Sequence, residues 1–539
     1  MTRRLPGAPT TTSRATRSVA MGRQGMIATS QPLASAAGLD VLSHGGNAID
    51  AAVTAAGVLS VVEPTMTGIG GDLFAIVHDA ATGRTRGLNA SGRSPHGATL
   101  DRLHAQGHTS MPDHGVFTVT VPGAVDGWSQ LLAEHGTFSL RQTLAPAIAH
   151  ARNGFPVAEV VARQWQDEAT KLAADARTAE IWLPQGRAPE PGAIFRCPAL
   201  AASLEMIASD GRDVFYRGEL AQTIARDADQ RGGWLTASDL ADHHSEWVEP
   251  IRTTYRDHEL LELPPNTQGF VTLEALNILN DDDLARLGHN SPDYLHLVLE
   301  ALAIAFADRN AHLADPAWVP EETLQRLISH GYGQARRRDI QTTRVGLPKP
   351  HHTDVRRGAG DTVCLAAADA DGNLISLIQS LYAGFGAGIV AGDTGIVLHN
   401  RGSLFGTDPS HPNHLAPHKR PLHTLAPAMA FRQDRPWLAF GVMGGDMQPQ
   451  GHLQVLLNLT CFGMNLQEAG DAPRVRYDPL GIGLEQGIPG TTAAALEFRG
   501  HRLIDGLGFG GFQAVLIDPD TGVLMGASDS RKDGLAIGC

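Results

Sequence analysis

Cysteine is scarce and scattered in this 539-residue chain: Cys197, Cys364, Cys461 and Cys539 are the only four, and no two form a C-x-x-C pair. That spacing suggests neither a disulfide framework nor a thiolate zinc site. Basic charge is also short. Forty-three Lys and Arg face 57 Asp and Glu, for a formal net charge of −14. A phosphate backbone requires the opposite, so nucleic acid is not an expected partner. The first 26 residues hold five arginines but no apolar block of secretory length, and Arg3-Arg4 is followed by Leu-Pro-Gly-Ala-Pro, too polar and broken for a twin-arginine signal. Residues 1–22 therefore read as a frayed tail and the protein as cytoplasmic, with no membrane partner. His-Glu-x-x-His is missing as well. His411, His414, His418 and His423 crowd into one proline-rich stretch, which is linker-like, so no metal and no other cofactor is expected.

What is present is material for a large α/β protein. Sixty glycines and 42% hydrophobic residues describe a globular, loop-rich chain whose length exceeds one ordinary core. Ala, Leu and Val recur at helical spacing from Leu33 to Val62, interrupted at Gly45-Gly46 and restarted at Asn47, a good N-cap; two helices meeting at a glycine turn follow. The run Thr67-Gly68-Ile69-Gly70-Gly71-Asp72 comes after a helix and before a strand, the reverse of the order that aims a helix at a dinucleotide phosphate. It reads instead as a close approach of backbone to a ligand or neighbouring strand. Three hairpins are expected, over Asp72–Leu88, Thr362–Leu381 and Phe512–Gly526, each turning at a glycine. Leu295, Val298, Leu299 and Leu302 share one helical face, a core stripe. From Ala335 to Gly360, arginines, prolines and histidines replace apolar periodicity, which reads as an exposed, mobile linker. Strands at both ends with helices between suit a layered sandwich whose sheets draw on both halves.

Where that linker meets the next strand stands Gly358-Ala359-Gly360-Asp361-Thr362-Val363. A threonine hydroxyl is a poor nucleophile at neutral pH. If the bond between Asp361 and Thr362 is cut, the freed α-amino group, with a pKa of about 7.7–8.0, can take the hydroxyl's proton, and one residue supplies nucleophile and base. Cys364, two residues on, reads as a small packed hydrophobe.

Together with Gly45-Gly46-Asn47-Ala48-Ile49-Asp50-Ala51-Ala52, Val62-Glu63-Pro64, Gly68-Ile69-Gly70-Gly71, Val121-Pro122-Gly123-Ala124, Phe306-Ala307-Asp308-Arg309, Asp371-Gly372-Asn373, Phe385-Gly386 and Gly444-Gly445, in this order from about Gly25 to Cys539, the chain resembles the γ-glutamyltransferase branch of the N-terminal nucleophile hydrolases. The resemblance implies a four-layer αββα sandwich and a self-cleaving precursor. It would split into a large subunit, 1–361, ending in the 335–361 linker, and a small catalytic subunit, 362–539. A dimer of these heterodimers is a further possibility. It also implies an oxyanion hole at Gly444-Gly445 and, at Ser380, a hydroxyl that orients Thr362.

The chain departs from that family where an amino-acid end would bind. The carboxylate-binding arginine falls on Ser91, with Arg93 two places on. The ammonium-binding aspartate falls on Leu404, a neighbouring glutamine on Arg401, and a serine pair on His423-Thr424. Leucine cannot pair an ammonium, and Arg401 with Arg93 and His423 suits an anion lacking one. Together with Ile378-Gln379-Ser380-Leu381-Tyr382 and Met443-Gly444-Gly445-Asp446, these strings resemble a sub-branch with oxamate amidohydrolase and glutathione hydrolase-like proteins. The expected function is hydrolysis of a small carboxylate-bearing amide, oxamate-like, with Arg93, Arg401, His423, Thr424 and Tyr382 binding substrate. The alternatives are a γ-glutamyltransferase or glutathione hydrolase, and an inactive binding protein of the same fold; for Arg93 and Arg401 the alternative to binding substrate is a role as structural ion-pair partners.

Overall fold

The computed structural model describes residues 15–346 and 361–539, with only the backbone of Asp361. Residues 1–14 of the expected tail, and 347–360 of the expected linker with Gly358 and Gly360, lie outside the described residues.

Two seven-stranded antiparallel sheets lie face to face. One has Leu374–Tyr382 at its centre, between Asp361–Asp369, which in turn pairs with Gly25–Thr29, and Asp72–Asp79, which pairs with Arg84–Ala90. The second has Arg435–Met443 at its centre, between Ala428–Arg432 and Gly511–Ile517. All three expected hairpins are present: Asp72–Asp79 with Arg84–Ala90, Asp361–Asp369 with Leu374–Tyr382, and Gly511–Ile517 with Leu524–Ser528. The first sheet takes strands from both sides of position 361, so the two halves share one sandwich.

Side chains on the Asp361–Asp369 strand alternate as a pleat requires. Val363, Leu365 and Ala367 face a helical layer, whereas Cys364, Ala366 and Ala368 fill the core between the sheets with Met429, Ala439 and Met443. Ser376 bridges that core by donating to the Phe440 carbonyl at 2.9 Å. Small residues on this face let the sheets approach closely.

Helices cover both outer faces, completing the αββα order. Against the first sheet lie Pro32–Ser43 and Ala48–Val62, the second opened by Asn47, whose side chain accepts from Ile49 and Asp50 amides while Asp50 caps the Asn47 amide in return. Against the second lie Phe270–Leu279, Met447–Thr460 and the 21-residue Pro292–His312, which buries Leu295, Val298, Leu299 and Leu302. No described helix is long and apolar enough to cross a membrane.

Two boundaries need correction. Ala20–Gly22 is an edge strand paired with Leu524–Gly526, and Thr16 is hydrogen-bonded to Asp471, so the chain is anchored before residue 22. The stretch from 335 also begins as structure: His330–Arg337 is a helix, Arg337 makes a two-pronged bond to Asp282, and Arg336 lies over Tyr332. Its arginines look like linker only while their acidic and aromatic partners, distant in sequence, are out of view. The four cysteines are all free thiols. Cys364 is buried and donates to the Gly441 carbonyl at 3.4 Å, and burial pushes its thiol pKa up, as a packed hydrophobe requires.

Candidate active site

Thr362 lies opposite a bulge in the Leu374–Tyr382 strand, where Ser380 and Leu381 together face it. Asp361 pairs with Tyr382 and Val363 with Gln379, so the register slips at the residue between them. A bulge disrupts the ladder locally and re-aims the side chains of the strand that carries it, here bringing Ser380 against Thr362. Thr362 is buried, and its hydroxyl donates to Ser380 Oγ at 3.2 Å. Ser380 Oγ in turn accepts from the Tyr382 amide at 2.7 Å, which fixes the serine's rotamer. The glycine run read as a close approach is one: a Cβ on Gly71 would lie 2.3 Å from the Ser380 carbonyl, and one on Gly70 2.1 Å from that of Val397.

Across the gap, the Arg435–Met443 strand delivers Gly444 and Gly445, with φ of +113° and +60°. Only glycine takes the first without strain, and a Cβ there would meet Gly510 Cα at 3.0 Å. The turn is anchored from behind. Gln268 Nε2 donates to the carbonyls of Gly445 and Thr424, while Arg309 binds Gln268 Oε1 and Asp446 Oδ1 at 2.7 and 2.6 Å. Neither glycine amide donates to another described residue. Two free amides on a rigid turn suit a developing oxyanion.

On one side of Thr362 lies a sealed polar cluster. Arg401, wholly buried, donates Nη1 to Thr424 Oγ1 at 3.0 Å and stacks its guanidinium 4.5 Å from the Tyr382 ring centroid. Its Nε and Nη2 have no hydrogen-bond partner. Asp72 lies 3.8 Å from Arg401 Nε and 3.0 Å from His399 Nδ1, neither with hydrogen-bond geometry, and bonds His423 Nε2 at 3.0 Å, with the Gly92 amide on its other oxygen. Burial alone would raise the Asp72 pKa, but His399 and His423 outweigh it and hold the carboxyl far below its usual range. Burial, reinforced by Arg401, lowers His423 to about 3, so this imidazole is neutral at physiological pH. Burial also lowers Arg401, to about 10, against the pull of Asp72, and it stays charged. Arg401 is thus a fixed cation beside the anionic Asp72, with its Nε and Nη2 unused. Leu404, from the same short Arg401–Leu404 turn, is buried and offers no acceptor.

Of the expected substrate-binding residues, Arg401, His423, Thr424 and Tyr382 come together here and Arg93 does not. Arg93 is bound to Asp315 at 2.9 Å and Glu246 at 3.3 Å, the ion-pair alternative. Nor do the clustered histidines meet. His411 bonds the Asn310 carbonyl, His418 stacks on His96 and His423 turns to Asp72, and no group of potential metal ligands exists among the described residues. Asp72 and His399 were missed. The aspartate ending the glycine run was a visible signal, but His399 lies in an unremarkable strand-like stretch.

The profile of the gamma-glutamyltranspeptidase family matches residues 34–539. The chain is 38% identical over 532 residues to the glutathione hydrolase-like YwrD proenzyme of Bacillus subtilis (strain 168), covering 96% of this chain and 99% of that one. It is 35% identical over 531 residues to the oxamate amidohydrolase proenzyme of Klebsiella pneumoniae, covering 95% and 98%. A crystal structure of cephalosporin acylase from Bacillus halodurans superposes with a TM-score of 0.92 at 41% identity, covering 99% of both chains. With its sandwich, its ordered motifs and these relatives, the chain belongs to the gamma-glutamyltranspeptidase family and is an amide hydrolase.

Proposed function

We propose that the protein is a self-processing N-terminal threonine amidohydrolase that cleaves the amide of a small carboxylate-bearing acyl group, oxamate-like, through an acyl-enzyme on Thr362. Scission between Asp361 and Thr362 yields subunits 1–361 and 362–539. The freed Thr362 amine accepts the hydroxyl proton as Oγ1 attacks the amide carbon, and the oxyanion forms against the Gly444 and Gly445 amides. Collapse breaks the C–N bond, and the amine leaves with that proton. Water then attacks the ester, giving up a proton through the same amine, and releases the carboxylic acid and the Thr362 hydroxyl.

The observation that carries the substrate half of this reading is Arg401: a buried guanidinium with two unused donors, and no carboxylate where an α-ammonium would need one. Leaving a buried donor unmet costs about 1–3 kcal/mol, more if charged, and a substrate carboxylate would meet it. Asp72 does not serve an ammonium, since both its oxygens are already engaged. That disfavours a γ-glutamyl donor. The test is an assay of matured protein with oxamate, glutathione and a γ-glutamyl anilide in parallel. The proposal expects oxamate to be turned over with the highest kcat/KM; faster release of the anilide would transfer the reading to γ-glutamyl chemistry.

A further inference from the structure

The strand that delivers Gly444 loses one neighbour before it gets there. Ala428–Arg432 pairs with it only as far as Ala428 opposite Phe440, and the residue before Ala428 is Pro427, which has no N–H to continue the ladder. Two buried amides beyond that point, those of Val442 and Ala426, must find acceptors elsewhere. Both find them on one face of the Met447–Thr460 helix, on side chains four residues apart. Val442 donates to His452 Nε2 at 3.2 Å, and Ala426 donates to Gln448 Oε1 at 2.8 Å.

A third element sets the ring of His452. Its Nδ1 lies 2.8 Å from Glu262 Oε1, and both residues are wholly buried. An Nε2 that accepts from an amide carries no hydrogen, so the ring holds its proton on Nδ1 and donates it to Glu262. Glu262 ends the His258–Glu262 strand, and Gly269 leaves it room, since a Cβ there would lie 2.6 Å from Glu262 Oε2. Beside Gly269 stands Gln268, which holds the Gly445 carbonyl. One short stretch, 262–269, therefore grips the glycine turn at both ends: through His452 at Val442, and through Gln268 at Gly445.

We propose that Glu262 and His452 are positioning residues for amide hydrolysis: by fixing the Val442 amide they set the angle at which the Gly444 and Gly445 amides meet the developing oxyanion. The inference rests on reading that turn as the oxyanion hole. Neither side chain touches substrate; both act through the backbone. Without an acceptor at Nε2 the Val442 amide is released and the turn shifts, and a displacement of about 1 Å can cost about a hundredfold in rate. Ground-state binding, which rests on the Arg401 cluster, is spared.

The experiment measures kcat and KM of matured His452→Leu and His452→Gln, with Gly444→Ala as reference, on whichever of oxamate, glutathione or the γ-glutamyl anilide the wild type turns over fastest. Leucine fills the space without an acceptor, whereas glutamine can present Oε1 to Val442 and Nε2 to Glu262. His452→Leu is expected to lower kcat by about ten- to a hundredfold with KM within about twofold, and His452→Gln to recover most of that loss. If leucine alone leaves too little folded enzyme, because Glu262 is then buried without its partner, the double variant Glu262→Met with His452→Leu removes that carboxyl and is expected to show the same loss in kcat. An unchanged kcat in the leucine forms, a loss carried by KM, or a glutamine form no better than leucine overturns the inference. If Gly444→Ala also leaves kcat unchanged, the oxyanion reading of the turn falls with it; a loss confined to Gly444→Ala removes the positioning role alone.

Discussion

The two flanks of Thr362 treat charge in opposite ways. On the Arg401 side, guanidinium, carboxylate and imidazoles are fully buried and bonded to one another, so their positions are set by the fold. On the Arg476 side, Arg163, Arg476 and Lys532 border a solvent-reachable cavity against Thr362, and none of the three forms an ion pair with a described residue. A buried charge held in place discriminates sharply, because a ligand lacking the complement leaves donors unmet. A cation at the rim of an open cavity is screened by water and discriminates weakly. The proposed reaction takes its strict choice of acyl group from the sealed flank.

Predictions follow from breaking one flank without the other. The largest effect removes what both share. Thr362→Ala should leave the precursor whole and lower amidase activity by about 10⁴-fold or more, read by gel electrophoresis and rate assay. Next, Gly444→Ala should lower kcat by about 10²–10³ while KM moves little, because a methyl at φ +113° would disturb an oxyanion donor and press on Gly510. Arg401→Gln strikes the sealed flank alone. KM for oxamate should rise by roughly thirtyfold or more, the low end for truncating a buried charged partner.

The smallest effect concerns pH and stability. His423 has a folded pKa of about 3, below its unfolded value near 6.5. Between those limits the unfolded state binds the extra proton, so stability from this residue is full above pH 6.5 and falls as pH drops toward 3, by at most about 1.4 kcal/mol per unit. His423→Gln should flatten the slope of unfolding free energy against pH over that window by up to one proton, measured by urea denaturation.

Legibility tracked distance along the chain. Asn47 as an N-cap, the glycine turn before it and the three hairpins were readable because their causes lie within a few residues. The bulge that sets Ser380 and Leu381 against Thr362 was not, since it depends on how Asp361 and Val363 register against Tyr382 and Gln379. The resemblance placed Thr362, Ser380 and Gly444-Gly445 together, and they do lie around one point. The Asp72 hub could not be read, because its side-chain partners His399, Arg401 and His423 stand more than three hundred residues away and Asp72 passed for the start of a strand. The same blindness assigned Arg93 to the substrate over its ion-pair alternative, Arg336 and Arg337 to a mobile linker and residues 15–22 to a loose tail: Asp315, Asp282 and the Leu524–Gly526 strand are remote partners that only folding supplies.

The central claim is that one threonine, exposed by scission, is both nucleophile and base. N-terminal sequencing of fully active, matured enzyme tests it most directly. The account predicts two chains, the smaller beginning Thr-Val-Cys at Thr362; full activity from a chain still intact across Asp361 and Thr362 would contradict it.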